Sequence, residues 1–211
     1  MEKAKESFEM EQKEKETKNR GMKRERNKVL DLTRAALMTA LLCVLAPHTI
    51  MLPVTVSPVG ITLGTFLVYL TGFLLGPRLG SISIFLYLLL GMIGLPVFSG
   101  YKCGAAALFG PTGGYLIGYL FCVWVIGFLS GRSRSGKWVV VRFVLAAVLG
   151  TAVLYLFGTI WFLLVYTKGI TLSDALAKCV LPFLPFDSVK IVLSAVLATA
   201  LQRIRKQVEI G

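Results

Sequence analysis

The sequence predicts an all-α integral membrane protein of six transmembrane helices, with the N and C termini both in the cytoplasm. Three observations carry that expectation. Hydrophobic residues make up 55% of the 211-residue chain and the mean hydropathy is +0.74, more apolar sequence than a water-soluble domain of this size needs. Acidic residues are absent between Asp31 and Asp174, and from Leu32 to Ala200 only Asp174 and Asp187 remain. A water-exposed surface cannot be built from such a stretch. The basic residues stand at the ends of the apolar runs, which is the arrangement that sets membrane topology.

Apolar runs of about 17–25 residues are long enough to cross a ~30 Å hydrocarbon core as helices. The first runs from Leu32 to about Ile50 and is ended by Pro47 and Pro53. The second, Ile61 to Gly76, is short and closed by Gly76-Pro77. The third covers Leu79 to Leu95, the fourth Gly113 to Ser130. The fifth, Trp138 to about Tyr166, is long enough to tilt, and the sixth covers Phe186 to about Ile204. With the N-terminus inside, the inner side receives Lys23, Arg24, Arg26, Lys28, Arg34, Arg78, Arg132, Arg134, Lys137, Arg142, Arg203, Arg205 and Lys206. The outer side receives only Lys102, Lys168 and Lys178. Five or seven spans would put the basic C-terminal cluster outside, against the positive-inside rule. Six satisfy it. The chain thus divides into a charged cytoplasmic extension (1–27), a six-helix membrane domain (28–206) and a short tail (207–211). No cleavable signal peptide is evident at the charged N-terminus, and Met22 offers an alternative start that would leave residues 1–21 dispensable.

A net charge of +12 suggests nucleic acid only when it is spread over a soluble fold; here it flanks apolar segments, so nucleic acid is not expected as a partner. Cys43, Cys103, Cys122 and Cys179 lack CxxC spacing and read as small buried hydrophobes. The lone His48 has too few carboxylates near it for a metal site, and no metal or cofactor is expected. Gly131 to Trp138 matches the start of a phosphate-binding loop, but the hydroxyl that chemistry requires is replaced by Trp138; an inner basic loop explains the segment. One histidine and two membrane carboxylates cannot assemble an acid–base or nucleophilic site, so catalysis is not expected, nor is a channel without a ring of charge.

The outer loops are unusual. Met51 to Gly60, Leu95 to Pro111 and Leu181 to Asp187 are rich in Pro, Gly and aromatics yet hardly charged. Such segments lie at membrane depth only where protein covers them or they line a cavity, which places a ligand pocket at the outer end of the bundle. Asp187 and Lys190, spaced i, i+3, share a helix face. They read either as an internal ion pair with Asp187 as N-cap, or as ligand anchors, since ionisable groups within a membrane segment face a cavity or a partner. Lys102 is a candidate for an anionic group or a snorkelling surface lysine. Gly110-Pro-Thr-Gly-Gly-Tyr115 suits a helix start with close approach of backbone or ligand, and Tyr115 reads as a stacking surface or a membrane-interface residue. Ala36 and Ala40 form a small-xxx-small step that lets another helix approach closely.

These residues resemble a family. Leu95-Pro-Val-Phe-Ser-Gly, Leu108-Phe-Gly-Pro-Thr-Gly-Gly-Tyr-Leu-Ile-Gly118, Ser57-Pro-Val-Gly-Ile-Thr-Leu-Gly-Thr65 and Pro182-Phe-Leu-Pro-Phe-Asp-Ser-Val-Lys190 are together similar to the BioY proteins, in matching order from about Lys28 to Lys206. BioY proteins are substrate-binding (S) components of energy-coupling factor (ECF) biotin transporters. The resemblance implies a six-helix S-component fold in the cell membrane with an outward biotin pocket. It also implies a partner complex of one transmembrane coupling protein and two ABC-type ATPases, with Ala36 and Ala40 facing the coupling protein. Asp187 matches the position expected to bind the ureido ring and Lys190 a basic position beside it. Thr62, Phe98, Ser99, Lys102 and Tyr115 complete the expected substrate-binding set. The chain departs from many members at Gly64, where they carry Gln, and at Tyr101-Lys102-Cys103, where their loop is richer in glycine. Rival readings are an S component for thiamine or riboflavin, a membrane enzyme acting on lipids, and a purely structural or assembly membrane protein.

Overall fold

The computed structural model describes residues 2–50, 61–131, 138–166, 173, 176–177 and 180–210. The loop Met51–Gly60, the inner-loop residues 132–137, and Lys168, Asp174, Lys178 and Cys179 lie outside the described residues.

Helix α1 (Glu2–Leu45) is 44 residues long. Its residues up to Leu30 are mostly polar and exposed where described, and its apolar end joins the bundle. It stops two residues before Pro47, whose ring restricts the residue ahead of it to extended backbone. The chain then forms a short antiparallel ribbon, β1 (Thr49–Ile50) with β2 (Ile61–Thr62), pairing Thr49 with Thr62 and Ile50 with Ile61. Both strands fall where the sequence suggested helix ends, so the first and second helices are shorter than expected there.

Helix α2 (Gly64–Met92) carries the second and third expected segments. At Gly76 the backbone takes φ 77° and ψ −173°, a region open essentially to glycine alone. Pro77 follows, and the chain folds back: a Cβ built on Gly80 would lie 3.6 Å from the Thr71 carbonyl oxygen, whereas nine residues along a straight helix span about 13.5 Å. The halves of α2 are therefore an antiparallel helical hairpin. A 3₁₀ turn (Ser99–Tyr101) and the short α3 (Gly104–Leu108) follow, then α4 (Gly113–Ser130), α5 (Val139–Tyr166) and α6 (Leu184–Ile210). Four stretches, Gly64–Met92, Gly113–Ser130, Val139–Val165 and Leu184–Ile204, are long and apolar enough to cross a membrane.

The core is apolar, with Leu42, Val68, Ile84, Val123, Phe143 and Leu154 fully buried. Hydroxyls stitch the helices where apolar side chains do not. Thr39 Oγ1 on α1 donates to the Ser83 carbonyl at 3.1 Å, and Ser83 Oγ donates back to the Ala35 carbonyl at 3.0 Å. This contact turns Ala35 and Thr39 inward and leaves Ala36 and Ala40 exposed on the far side of α1. Around the outside, large apolar side chains such as Phe85, Phe128, Leu145, Leu156 and Leu164 stand exposed, a surface that lipid makes favourable and water does not. The chain is a multi-pass membrane protein.

Two ends of the bundle differ. At one, Gly127 of α4 packs directly on Gly76 and Pro77 of the α2 turn, and Gln202 Nε2 of α6 donates to the Phe73 carbonyl at 3.1 Å. At the other lie the ribbon, the loop after α2, and the starts of α4 and α6. The candidate site is there.

Candidate functional site

Local chemistry builds the roof first. Tyr87 Oη donates to the Val97 carbonyl at 3.0 Å, and the Phe98 ring lies edge-on to Tyr87 with centroids 5.6 Å apart. Phe98 can reach this place because Gly91 has no side chain, and a Cβ there would fall inside the Phe98 ring. The Ser99–Tyr101 turn is tied to the end of α1: Thr49 and Ser99 hydroxyls are 2.9 Å apart, and the Gly100 N–H donates to the Pro47 carbonyl at 3.0 Å. Tyr101 Oη sits 3.3 Å from His48 Nε2. On the other flank, Trp161 Nε1 of α5 donates to the Gly110 carbonyl at 3.0 Å, and Tyr115 packs against the bare backbone of Gly158.

Helix α6 supplies the charges. Pro185 occupies its first turn, where the missing N–H costs nothing. Asp187, expected as the N-cap, is instead inside the helix: its N–H donates to the Phe183 carbonyl at 2.8 Å. That correction follows from Pro185 setting the start two residues earlier than the sequence suggested, and it releases the Asp187 carboxylate from capping. Asp187 as a whole is only 4% exposed. Its Oδ1 accepts from Lys190 Nζ at 2.9 Å and from Thr65 Oγ1 at 3.2 Å, and its Oδ2 accepts from Tyr155 Oη at 2.6 Å. Lys190 Nζ also donates to Thr65 Oγ1 at 3.0 Å. A buried charge pair needs such added hydrogen bonds, because its Coulomb attraction alone does not offset desolvation.

A cavity opens beside this pair, with about 660 Å³ of empty space when its open mouth is counted. All seven residues singled out as a substrate-binding set line it: Thr62 from β2, Phe98, Ser99 and Lys102 from the loop after α2, Tyr115 from α4, and Asp187 and Lys190 from α6. Asp187 is buried and Lys102 exposed, so charge is found both at the inner wall and towards the mouth. Thr65, Tyr119 and Tyr155 also line the cavity, as do Thr112, Leu116, Leu154 and Phe183. Tyr119 lies one turn past Tyr115 on the same helix face, a spacing that could have flagged it. Thr65 ended a quoted motif without being singled out. Tyr155 had no signal, being one aromatic among many on an apolar helix; only the packing of α5 on α6 brings it to Asp187. Gly64 is held open for this site, since a Cβ there would lie 3.1 Å from Tyr119 Oη.

A multi-pass helical bundle with a mostly apolar cavity open at one end and, among the described residues, a buried ion pair on its wall is a membrane protein built to hold a small solute rather than to transform it. The comparisons agree with that class and narrow it. The model of the BioY family matches residues 15–207, and the chain belongs to that family. It is 35% identical over 173 residues to the biotin transporter BioY of Thermotoga maritima, covering 82% of this chain and 96% of that protein. It is 37% identical over 177 residues to the biotin transporter BioY of Rhizobium etli, covering 81% and 91%. In structure it is similar to the S-component for biotin from an ECF-type ABC transporter, with a TM-score of 0.74, 35% identity, and 86% of this chain and 93% of that one covered.

Proposed function

We propose that this chain is the biotin-binding membrane subunit of an ECF-type, ATP-driven vitamin importer, holding its ligand under the outer loops. The observation that carries the reading is the buried Asp187–Lys190 pair on the wall of a cavity lined by aromatic and hydroxyl side chains. Biotin's cyclic urea offers two N–H donors and one carbonyl acceptor, which a carboxylate and an ammonium complement. Its apolar ring suits Phe98, Leu116, Leu154 and Tyr115, and its carboxylate tail suits Lys102 towards the mouth. Thr62 and Ser99 add hydroxyls to the same wall.

The partial phosphate-loop match at Gly131 to Trp138 lacks the hydroxyl that would hold Mg²⁺, so uptake draws its energy from partners: a transmembrane coupling protein docking on the exposed Ala36–Ala40 face, and two ABC-type ATPases beneath it. Six spans, formed by the apolar end of α1, the two halves of α2, α4, α5 and α6, put both termini in the cytoplasm. The exposed Arg78 and Arg203 at the end opposite the cavity support that orientation.

Purified protein in lipid nanodiscs should bind labelled biotin, and excess unlabelled thiamine or riboflavin should not displace it. Asp187→Asn keeps the shape and one acceptor but loses the charge; its affinity should fall at least about tenfold, the loss for a hydrogen bond to a charged group. No binding by the wild-type protein would remove biotin as the substrate, and unchanged affinity in the variant would remove Asp187 from the site.

A further inference from the structure

We infer that Thr65 and Tyr155 are positioning residues that decide which ligand groups the Asp187–Lys190 pair can read; this rests on the biotin reading above and deepens it. The argument is a count of hydrogen-bonding capacity. A carboxylate has about four lone-pair sites, an ammonium three N–H donors and a hydroxyl one donor. Among the described residues, Asp187 Oδ1 accepts two bonds, from Lys190 and Thr65, and Oδ2 accepts one, from Tyr155. Lys190 spends two of its N–H groups, on Asp187 and on the Thr65 oxygen. Thr65 and Tyr155 each spend their one proton on Asp187.

What remains for a ligand is a single donor, the third N–H of Lys190. Against it stand several acceptor sites: the last lone pair of Oδ2 and the hydroxyl oxygens of Thr65 and Tyr155. One donor beside several acceptors is the complement of a urea, which has one carbonyl and two N–H groups. It is a poor complement of a guanidinium, which has no acceptor for Lys190 and brings a positive charge towards it. Thr65 also bridges the charges, accepting from one and donating to the other, so neither side chain can swing to another rotamer without breaking two bonds. Tyr155 fixes the carboxylate plane from the opposite edge through a short 2.6 Å bond.

The test compares biotin with 2-iminobiotin in its protonated form, in which the urea carbonyl is replaced by a guanidinium nitrogen. Tyr155→Phe removes only the hydroxyl. Biotin affinity should fall about tenfold, while 2-iminobiotin loses less, because the freed Oδ2 lone pair accepts its added N–H; the preference for biotin therefore narrows. Thr65→Val should weaken biotin similarly, and Thr65→Ser, which keeps the hydroxyl, should restore it. Equal losses for both ligands would mean that Tyr155 is merely structural, and unchanged biotin affinity would mean that it has no part; either overturns the inference. The ligand-free protein supplies an independent reading. Thermal unfolding of Tyr155→Phe, Asp187→Asn and the double variant should be non-additive, and additive shifts would sink the clamp even if the wild-type protein bound no biotin at all.

Discussion

Asp187 and Lys102 both carry charge to the same cavity, and burial decides how much each is worth. The Asp187 and Lys190 side chains are 6% and 12% exposed, so removing one partner leaves the other stranded in a low dielectric at a cost of about 3–5 kcal/mol. Lys102 is exposed, and an ion pair it forms is screened by water, worth about 0.2–1 kcal/mol. Lys102→Gln should therefore weaken biotin only about two- to fivefold, and the effect should vanish for biotinamide, whose tail has no charge. Isothermal titration of both ligands against both proteins checks this. An equal loss for the amide would mean that Lys102 shapes the loop rather than meeting the tail. The loop gives it that opportunity: the Phe98 N–H bonds to its own Lys102 carbonyl at 3.1 Å, closing the turn with the lysine on the cavity wall.

The hairpin inside α2 is the element on which the bundle turns. Gly76 sits in a backbone region closed to residues with a Cβ, and forcing one there costs about 1–3 kcal/mol. A Cβ on Gly76 meets nothing within 4 Å, so the penalty of Gly76→Ala is conformational rather than steric. The variant should unfold at a lower temperature in detergent while its biotin affinity holds, because the turn lies at the end of the bundle opposite the cavity. A matched loss of affinity would show that the turn also sets the site. Much of this element was legible: Gly76-Pro77 marked the break, and the apolar runs on either side marked two helices. The fourth helix was legible to the residue, since Pro111-Thr112 and the basic Arg132 bracket Gly113–Ser130. The ribbon Thr49–Ile50 with Ile61–Thr62 was not, because two-residue strands leave no alternating pattern. The site was legible wherever a charge or a glycine-rich loop stood out in an apolar chain, as at Asp187, Lys190, Lys102 and Phe98. It was illegible at Tyr155, which reaches Asp187 only through the packing of α5 against α6. It was misread at the Asp187 backbone, where Pro185 moves the helix start.

At the scale of the whole molecule, most of the exposed basic side chains and the cavity lie at opposite ends. The α2 turn carries exposed Arg78, α6 carries exposed Arg203 one residue past the Gln202–Phe73 bond, and α1 is basic just ahead of its apolar end, at Lys23, Arg24, Arg26 and Lys28. Among the described residues, the cavity end offers exposed Lys102 and the buried Asp187–Lys190 pair, whose charges offset each other. A potential difference and an anionic inner leaflet both favour this distribution with the basic end inside, which would open the cavity to the outer solution. The cysteines allow a direct reading. Cys103 is exposed on the loop beside Lys102, Cys43 is half-buried and Cys122 is buried. In a chain with Cys43, Cys122 and Cys179 replaced by Ala, a membrane-impermeant maleimide should label Cys103 on intact cells. In a second chain with Cys103 also replaced, Gln207→Cys, at an exposed position near the C-terminus, should react only after the membrane is permeabilised. The opposite pattern would invert the molecule and leave the cavity facing the cytoplasm, where it could not gather a vitamin from outside. Labelling of both positions in intact cells would place the cavity end of the bundle, where α6 begins, and the far end of α6 on one side of the membrane, which a single crossing by α6 forbids.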